Sequence, residues 1–441
     1  MTEIRDSHSP EVIATAAKYG IRPQAVQTYL DAGRGKRGDG VVRSMHATAK
    51  PIGALCNLDC SYCYYLSKEE LLKQKTRRMD EGVLERFISQ YIATQDGPEV
   101  QFTWHGGEPT LLGLDFFRKV VALQDKHRPA GKTIANDIQT NGTLLDDDWC
   151  AFLVERGFLV GLSIDGPRDL HDIHRPHKGG QPSFDKVIAG VKLLQKHGVP
   201  FSTLTTVNRD NAQQPLRVYR FLRDDLGSRY MQFIPCVEPK AFEGTAPGAH
   251  KDAQVAAKSS PRARPGHPMS IVTPWSVDPE DWGKFLIGVF DEWRERDRGV
   301  VKVNLFETLL AQLAGKPALI CTSSPVCGKN VAIENDGRVY SCDHFVYPEH
   351  ELGSILEASF AELAFSLPQL EFGLDKHRTL PDECRKCEHL KLCWGECPRT
   401  RILTTDSGAR LSYLCAGWKR FFGHAVPFLA SPRRRLAVVS P

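Results

Sequence analysis

Between about residue 47 and residue 238 short apolar runs alternate with longer stretches whose apolar residues recur every three to four positions. The runs Val100–Trp104, Ile134–Gln139, Leu159–Ile164, Phe201–Val207 and Tyr230–Ile234 predict strands. The stretches Asp80–Thr94, Leu114–Lys126, Asp146–Arg156, Ser183–His197 and Ala212–Asp225 predict helices. Repeated βα units build a parallel sheet with helices outside it, and ligands of such sheets gather at the C-terminal strand ends. Alternation alone is equally compatible with a barrel-like and with a doubly wound sheet.

Outside this region the pattern changes. Ser9–Tyr19 and Pro23–Leu30 predict two short helices separated by Gly20 and Pro23, and the stretch Gly33–Gly40 predicts a linker. No basic recognition face accompanies the two helices, so they are read as packing elements or a flexible extension, not as a helix-turn-helix. Lys240–Pro268 is rich in Ala, Pro, Lys and Gly with little periodicity, which predicts a mobile insertion. A helix follows at Pro279–Arg296. The expected organisation is an extension and linker over 1–45, the βα region over 46–240, the insertion over 241–270, a helical connector over 271–320, a cysteine-rich domain over 321–430 and a basic tail over 431–441.

The 441 residues carry a net charge of +4, too balanced to predict a nucleic-acid partner, and Arg433-Arg434-Arg435 reads as a solvated tail. The first residues lack an apolar signal core and no later stretch is long and apolar enough to span a membrane, so a soluble cytoplasmic protein without membrane partners is expected. Thirteen cysteines in such a chain predict metal or redox use, because the cytosol keeps thiols reduced. Only Cys150 and Cys236 fall outside the clustered motifs, and both read as small buried hydrophobes.

Cys56, Cys60 and Cys63 form C-x3-C-x2-C. A 4Fe–4S cluster normally takes four cysteines, so three in one short loop would leave an iron open for another ligand. An odd triad makes a poor disulfide framework, and zinc would require a fourth ligand. After the strand Val100–Trp104 comes His105-Gly106-Gly107-Glu108-Pro109, whose adjacent glycines allow close backbone approach and whose carboxylate can accept from an ammonium group. Gln139-Thr-Asn-Gly142 and Ser163-Ile-Asp165 end further strands, and Arg175 offers a guanidinium suited to a carboxylate. The remaining cysteines are Cys321, Cys327, Cys342, Cys384, Cys387, Cys393, Cys397 and Cys415, enough for two four-ligand sites. One grouping closes a zinc site with Cys384, Cys387, Cys393 and Cys397; spacing alone does not choose the metal.

The triad loop resembles that of the radical S-adenosylmethionine (SAM) enzymes. That resemblance implies a partial (β/α)6 barrel in which SAM chelates the open iron and yields a 5′-deoxyadenosyl radical. It implies that Tyr62, Gly106, Gly107, Glu108, Pro109, Ser163 and Arg175 contact SAM, with Gln139 and Asp165 lining the same mouth. The later cysteines resemble the SPASM domain. By that likeness Cys321, Cys327, Cys342 and Cys397 hold one auxiliary cluster and Cys384, Cys387, Cys393 and Cys415 another, making three 4Fe–4S clusters in all. Together with Gln232-Phe-Ile-Pro-Cys236, Thr273-Pro-Trp-Ser-Val277 and Tyr340-Ser-Cys-Asp343, the motifs are similar to those of anaerobic sulfatase-maturating enzymes. The likeness implies oxidation of a cysteine or serine in a C/S-x-P-x-R motif to Cα-formylglycine, with Asp343 as base and Tyr65 near the substrate. The implied partners are an unfolded or nascent sulfatase polypeptide and a low-potential electron donor such as flavodoxin or ferredoxin. Other SPASM enzymes crosslink or otherwise mature ribosomal peptides, which is the alternative within the same chemistry; a non-enzymatic iron–sulfur or zinc protein is the alternative outside it.

Overall fold

The computed structural model describes residues 8–35, 43–72 and 78–430. The expected basic tail over 431–441 and most of the expected linker lie outside the described residues.

Strands β1 (His46–Lys50), β2 (Glu99–Trp104), β3 (Thr133–Thr140), β4 (Leu159–Ser163), β5 (Phe201–Val207) and β6 (Tyr230–Pro235) are parallel and pair in chain order. A doubly wound sheet reverses its strand order at a switch point. Here there is no reversal, and the sheet stays open at both edges, so the expected partial barrel is what forms. Alternation along the strands explains the two faces. Val100, Phe102 and Trp104 of β2 are buried, and the rings of Phe102 and Trp104 pack with Phe87 of the helix Glu81–Thr94. Gln101 and Thr103, the intervening residues, are half-buried on the opposite face. Each such aromatic side chain contributes roughly 1.5–3 kcal/mol by leaving water. Caps sharpen the helix starts: the carboxylates of Asp80 and Asp146 accept from Val83 N and Trp149 N, at 2.9 and 2.8 Å.

Strand β1 escapes the hydrophobic pattern because its sequence is His-Ala-Thr-Ala-Lys, small and polar. The expected helix Ala212–Asp225 is broken by Pro215 into a 3-10 turn at Asn211–Gln213, a helix at Pro215–Arg220 and a π-turn at Phe221–Asp225. Lys240–Pro268, expected as a mobile insertion, instead packs on the domain. Val255, Ala256, Ala263 and Phe242 are buried, Tyr347 OH donates to Phe242 O at 2.7 Å, and β7 (Ala256–Ala257) joins a small sheet. Small residues and short turns carry this packing, which leaves no periodicity to read.

The cysteine-rich half is not a separate body. After β8 (Lys302–Val303), which extends the sheet beyond β6, β9 (Asn330–Glu334) pairs parallel with β1 over its whole length. Then β10 (Arg338–Tyr340) and β11 (Glu351–Ser354) continue the same sheet in antiparallel fashion, for ten strands in all. The strands β12 (Leu403–Thr404) and β13 (Arg410–Leu411) complete the small sheet with β7. The two N-terminal helices, Pro10–Tyr19 and Pro23–Gly33, lie against this half: Lys18 Nζ meets Glu371 at 2.9 Å and Tyr29 OH donates to Ala364 O at 3.1 Å.

Candidate active site

The turn after β1 carries Cys56, Cys60 and Cys63, and backbone contacts hold it in place. Gly107 N donates to Gly53 O at 2.7 Å and Glu108 N to Leu55 O at 2.9 Å. A Cβ on Gly107 would stand 1.9 Å from Leu55 O, so only glycine allows this approach. On the other side Ser61 N donates to His174 O at 3.0 Å, while the buried His174 ring joins Ser61 Oγ and Asp210 Oδ2, each at 2.7 Å. The three thiols lie within electrostatic reach of one another, and burial pushes Cys56 up to about 11 and Cys60 up to about 12. Bound iron would reverse that, because a metal takes the thiolate.

Around the loop the expected SAM-contact residues assemble at the C-terminal strand ends. Tyr62 OH donates to Asp165 Oδ2 and accepts from Arg175 Nη1 at 3.0 Å. Asp165 Oδ1 also accepts from Thr206 N at 3.1 Å. Arg175 is buried beside Cys60, and its Nε has no partner. A buried guanidinium with an unused donor fits an anionic ligand such as the SAM carboxylate. Gln139 Nε2 donates to Ser163 Oγ at 2.9 Å, and both side chains are half-buried.

Glu108, expected to meet the ammonium group of SAM, is engaged by donors of the protein itself. Its Oε1 accepts from Thr110 N, Thr110 Oγ1 and Thr140 Oγ1 at 3.1, 2.6 and 2.7 Å, and its Oε2 from Asn141 N at 2.7 Å. This carboxylate ties the end of β2 to the end of β3; sequence reasoning offers it to an ammonium group because the donors that occupy it on β3 lie about thirty residues away.

Asp343 directly follows Cys342 and meets the end of β1. Lys50 Nζ forms an ion pair with Asp343 Oδ1 at 2.5 Å, not aligned as a hydrogen bond, and Tyr64 OH donates to Oδ2 at 2.7 Å. Burial pushes this carboxyl up, but Lys50, followed by the neighbouring His105 and His344, outweighs burial and holds it well below the usual carboxylate range. Burial, then Lys50, pulls His105 down to about 4, and its Nδ1 accepts from Gly106 N at 2.7 Å. Tyr65 faces elsewhere: it is buried with its hydroxyl on Glu334 Oε1, beneath Lys50 Nζ at 3.8 Å from the ring centroid. Lys50 and Tyr64 escape sequence reasoning because no local motif joins them to Asp343. The register of β1 against β9 brings them together.

Eight later cysteines divide into two sets. Cys384, Cys387, Cys393 and Cys415 line one cavity with Trp418 and Phe422. Cys397 lies instead within electrostatic reach of Cys321, Cys327 and Cys342. The fold therefore does not assemble the consecutive zinc grouping of Cys384, Cys387, Cys393 and Cys397. Helix Leu367–Arg378 supports the set that contains Cys321 and Cys327: Gly373 O accepts from Cys327 N at 3.1 Å, and Lys376 Nζ donates to Cys321 O and Thr322 O at 2.7 and 2.8 Å. Two four-thiol sets fit iron–sulfur clusters with complete protein ligation.

The sequential parallel sheet, its three-cysteine turn and the appended cysteine sets define a radical SAM protein with an iron–sulfur extension. The model of the Radical SAM superfamily matches residues 51–222, and that of the SPASM iron–sulfur cluster-binding domain matches residues 321–388. More narrowly, the chain belongs to the anaerobic sulfatase-maturating enzymes. It is 42% identical to the serine-type enzyme of Bacteroides thetaiotaomicron over 89% of this chain and 92% of the relative. It is 34% identical to the cysteine-type enzyme of Clostridium perfringens (strain 13 / Type A), over 86% of this chain and 96% of that one. A solved structure described as native anSMEcpe with bound AdoMet and Cp18Cys peptide aligns with a TM-score of 0.75 at 32% identity, covering 89% of this chain and 99% of the other. Among the described residues no helix is long and apolar enough to cross a membrane.

Proposed function

We propose that this protein oxidises a cysteine or serine of a sulfatase polypeptide, in a C/S-x-P-x-R context, to Cα-formylglycine. The observation that carries this reading is Asp343, a half-buried carboxylate whose two oxygens are held by Lys50 and Tyr64 at the end of the strand that delivers the cysteine triad. When bound, SAM and a cluster on Cys56, Cys60 and Cys63 supply a radical that takes hydrogen from the substrate Cβ, and the two further clusters give the remaining electron an exit. Three 4Fe–4S clusters in total follow from the three cysteine sets.

The protein's own residues do the rest. Arg175, with Tyr62 and Asp165 fixing its position, holds the SAM carboxylate through its free edge. Gln139 and Ser163 border the same mouth. Asp343 accepts the thiol or hydroxyl proton once the adjacent Cβ has lost its hydrogen atom and the X–H bond has become acidic. Asp343 is held ionised below the usual carboxylate range and is a weak base for that reason, so the step is driven by the acidity of the X–H bond beside the Cβ radical. The substrate partner is an unfolded or nascent sulfatase, and the reductant is a low-potential flavodoxin or ferredoxin of the cytoplasm.

The test is anaerobic incubation of iron-loaded protein with SAM, dithionite and peptides carrying C-x-P-x-R or S-x-P-x-R, read by mass spectrometry. The expected result is conversion of at least one peptide to the aldehyde. In Asp343→Asn, aldehyde formation falls by about 10²–10⁴ while 5′-deoxyadenosine is still released. Deoxyadenosine release by the unmodified protein without oxidation of either peptide would sink the proposal.

A further inference from the structure

Between the two auxiliary cysteine sets lies Arg401, a residue that no motif above includes. Its side chain is 6% exposed. Nε donates to Gly395 O at 3.1 Å, Nη1 to Lys376 O at 2.9 Å and Thr379 Oγ1 at 3.1 Å, and Nη2 to Trp394 O at 3.1 Å. All of these acceptors are neutral. A buried guanidinium ordinarily has a carboxylate beside it, since burying an uncompensated charge costs several kcal/mol. Glu396 lies within electrostatic reach but makes no hydrogen bond to the guanidinium; its Oε2 accepts from the hydroxyls of Thr400 and Ser412.

Gly395, to which Arg401 donates, lines the cavity of Cys384, Cys387, Cys393 and Cys415, and Lys376, to which it also donates, reaches Cys321 O. Thiols of both sets, Cys384 of one and Cys397 and Cys327 of the other, lie within its electrostatic reach, as does the Glu396 carboxylate. Gly395 makes room for it, since a Cβ there would stand 2.9 Å from Arg401 Nη2. Lys376, another buried cation of this region, lies within electrostatic reach of Cys321 and Cys327. Four thiolates around an iron–sulfur core make a net anion, and reduction adds one more negative charge. A fixed positive charge in a poorly solvated place therefore favours the reduced form and raises the potential.

We propose that Arg401 is a positioning charge shared by both auxiliary sites, compensating the thiolates of each and raising the reduction potential of both clusters together. The proposal rests on reading both cysteine sets as cluster ligands.

The experiment uses the full chain with Cys56, Cys60 and Cys63 replaced by alanine, so that only auxiliary clusters contribute. It is reconstituted anaerobically, its iron is counted, and its potentials are read by EPR-monitored redox titration. About eight irons per chain are expected from two four-iron clusters. Fewer in this parent protein would overturn the two-cluster reading and the proposal with it. With the parent loaded, Arg401→Gln should shift both midpoints to more negative values, Arg401→Lys should leave both near the parent values, and Lys376→Gln should shift one only. Arg401→Gln with full iron and either midpoint unmoved overturns the proposal alone. If Arg401→Gln does not hold iron, Arg401→Lys decides: retained iron with parent-like midpoints supports the shared charge, whereas equal loss of iron assigns Arg401 to shape and refutes it.

Discussion

Glu108, buried, and Asp343, half-buried, are carboxylates at the mouth of the same sheet, and their surroundings are opposite. Glu108 is satisfied by neutral donors, two backbone N–H groups and two threonine hydroxyls, and burial pushes its carboxyl up in spite of them. Asp343 is paired with Lys50, which outweighs burial and keeps it ionised. Four neutral hydrogen bonds, three of them on Oε1, make Glu108 a tie between strands. One cation and one phenol make Asp343 a charged group held at a fixed place with room to accept a proton. Motif position alone singles out both; their partners support Asp343 as the proposed base and give Glu108 a bond to each of two strand ends.

The comparison breaks most severely at Lys50. Replacing it with methionine leaves Asp343 buried without its cation, a loss of roughly 3–5 kcal/mol for a broken buried pair. Chemical denaturation of the loaded protein measures it. The sign of the pH effect follows from the direction of the Asp343 shift. With Lys50 present the carboxyl is depressed, so the stability from its ionisation is complete above the ordinary carboxylate range and is lost only as pH falls toward the depressed value. Without Lys50, burial dominates and raises the carboxyl, so the acid limb of aldehyde formation moves to higher pH. An acid limb that stays in place in Lys50→Met would show that Lys50 does not control the base.

Glu108→Gln should act on the other side of the comparison. The amide oxygen can keep the donors now on Oε1, but the amide nitrogen would then face Asn141 N–H, donor against donor. A loss of about 1–3 kcal/mol in stability is expected. The ratio of aldehyde to 5′-deoxyadenosine should not change, because the four donors on Glu108 tie the ends of β2 and β3 together. A change in that ratio at full iron loading would move Glu108 into the reacting site.

Much of this arrangement is legible in the order of residues alone. Strands β2 to β6 run within one residue of the apolar runs at each end, because outward residues such as Val100, Phe102 and Trp104 must be buried by helices, and their alternation with Gln101 and Thr103 is visible in the chain. Strand β1 is not legible, since Ala47 and Ala49 are buried by pairing with β2 and β9 and not by bulk. The grouping of Cys397 with Cys321, Cys327 and Cys342 does not follow from spacing, because Cys393 is nearer along the chain; likeness to a family supplies it. Tyr64 and Tyr65 show the same limit at finer scale. They are adjacent, so only the fold decides that Tyr64 reaches Asp343, across 279 residues, while Tyr65 turns to Glu334.

That last distinction gives the smallest and most selective effect. Tyr64→Phe removes one hydrogen bond to a carboxylate and leaves the ring, the Lys50 pair and the burial of Asp343 in place. A hydrogen bond to a charged group is worth about 1.5–3 kcal/mol, and Lys50 still holds the other oxygen, so a fall toward the low end is expected. One factor of ten in rate corresponds to about 1.4 kcal/mol. Aldehyde formation should therefore drop by roughly tenfold, far less than in Asp343→Asn, with deoxyadenosine release little altered. Tyr65→Phe removes instead the hydrogen bond to Glu334, which lies outside the Asp343 pair, and should cost stability with the product ratio unchanged. If Tyr65→Phe uncouples the two products and Tyr64→Phe does not, Tyr65 has the substrate-proximal positioning role that the family motif implies, and the hydrogen bond from Tyr64 to Asp343 has no part in the proton transfer.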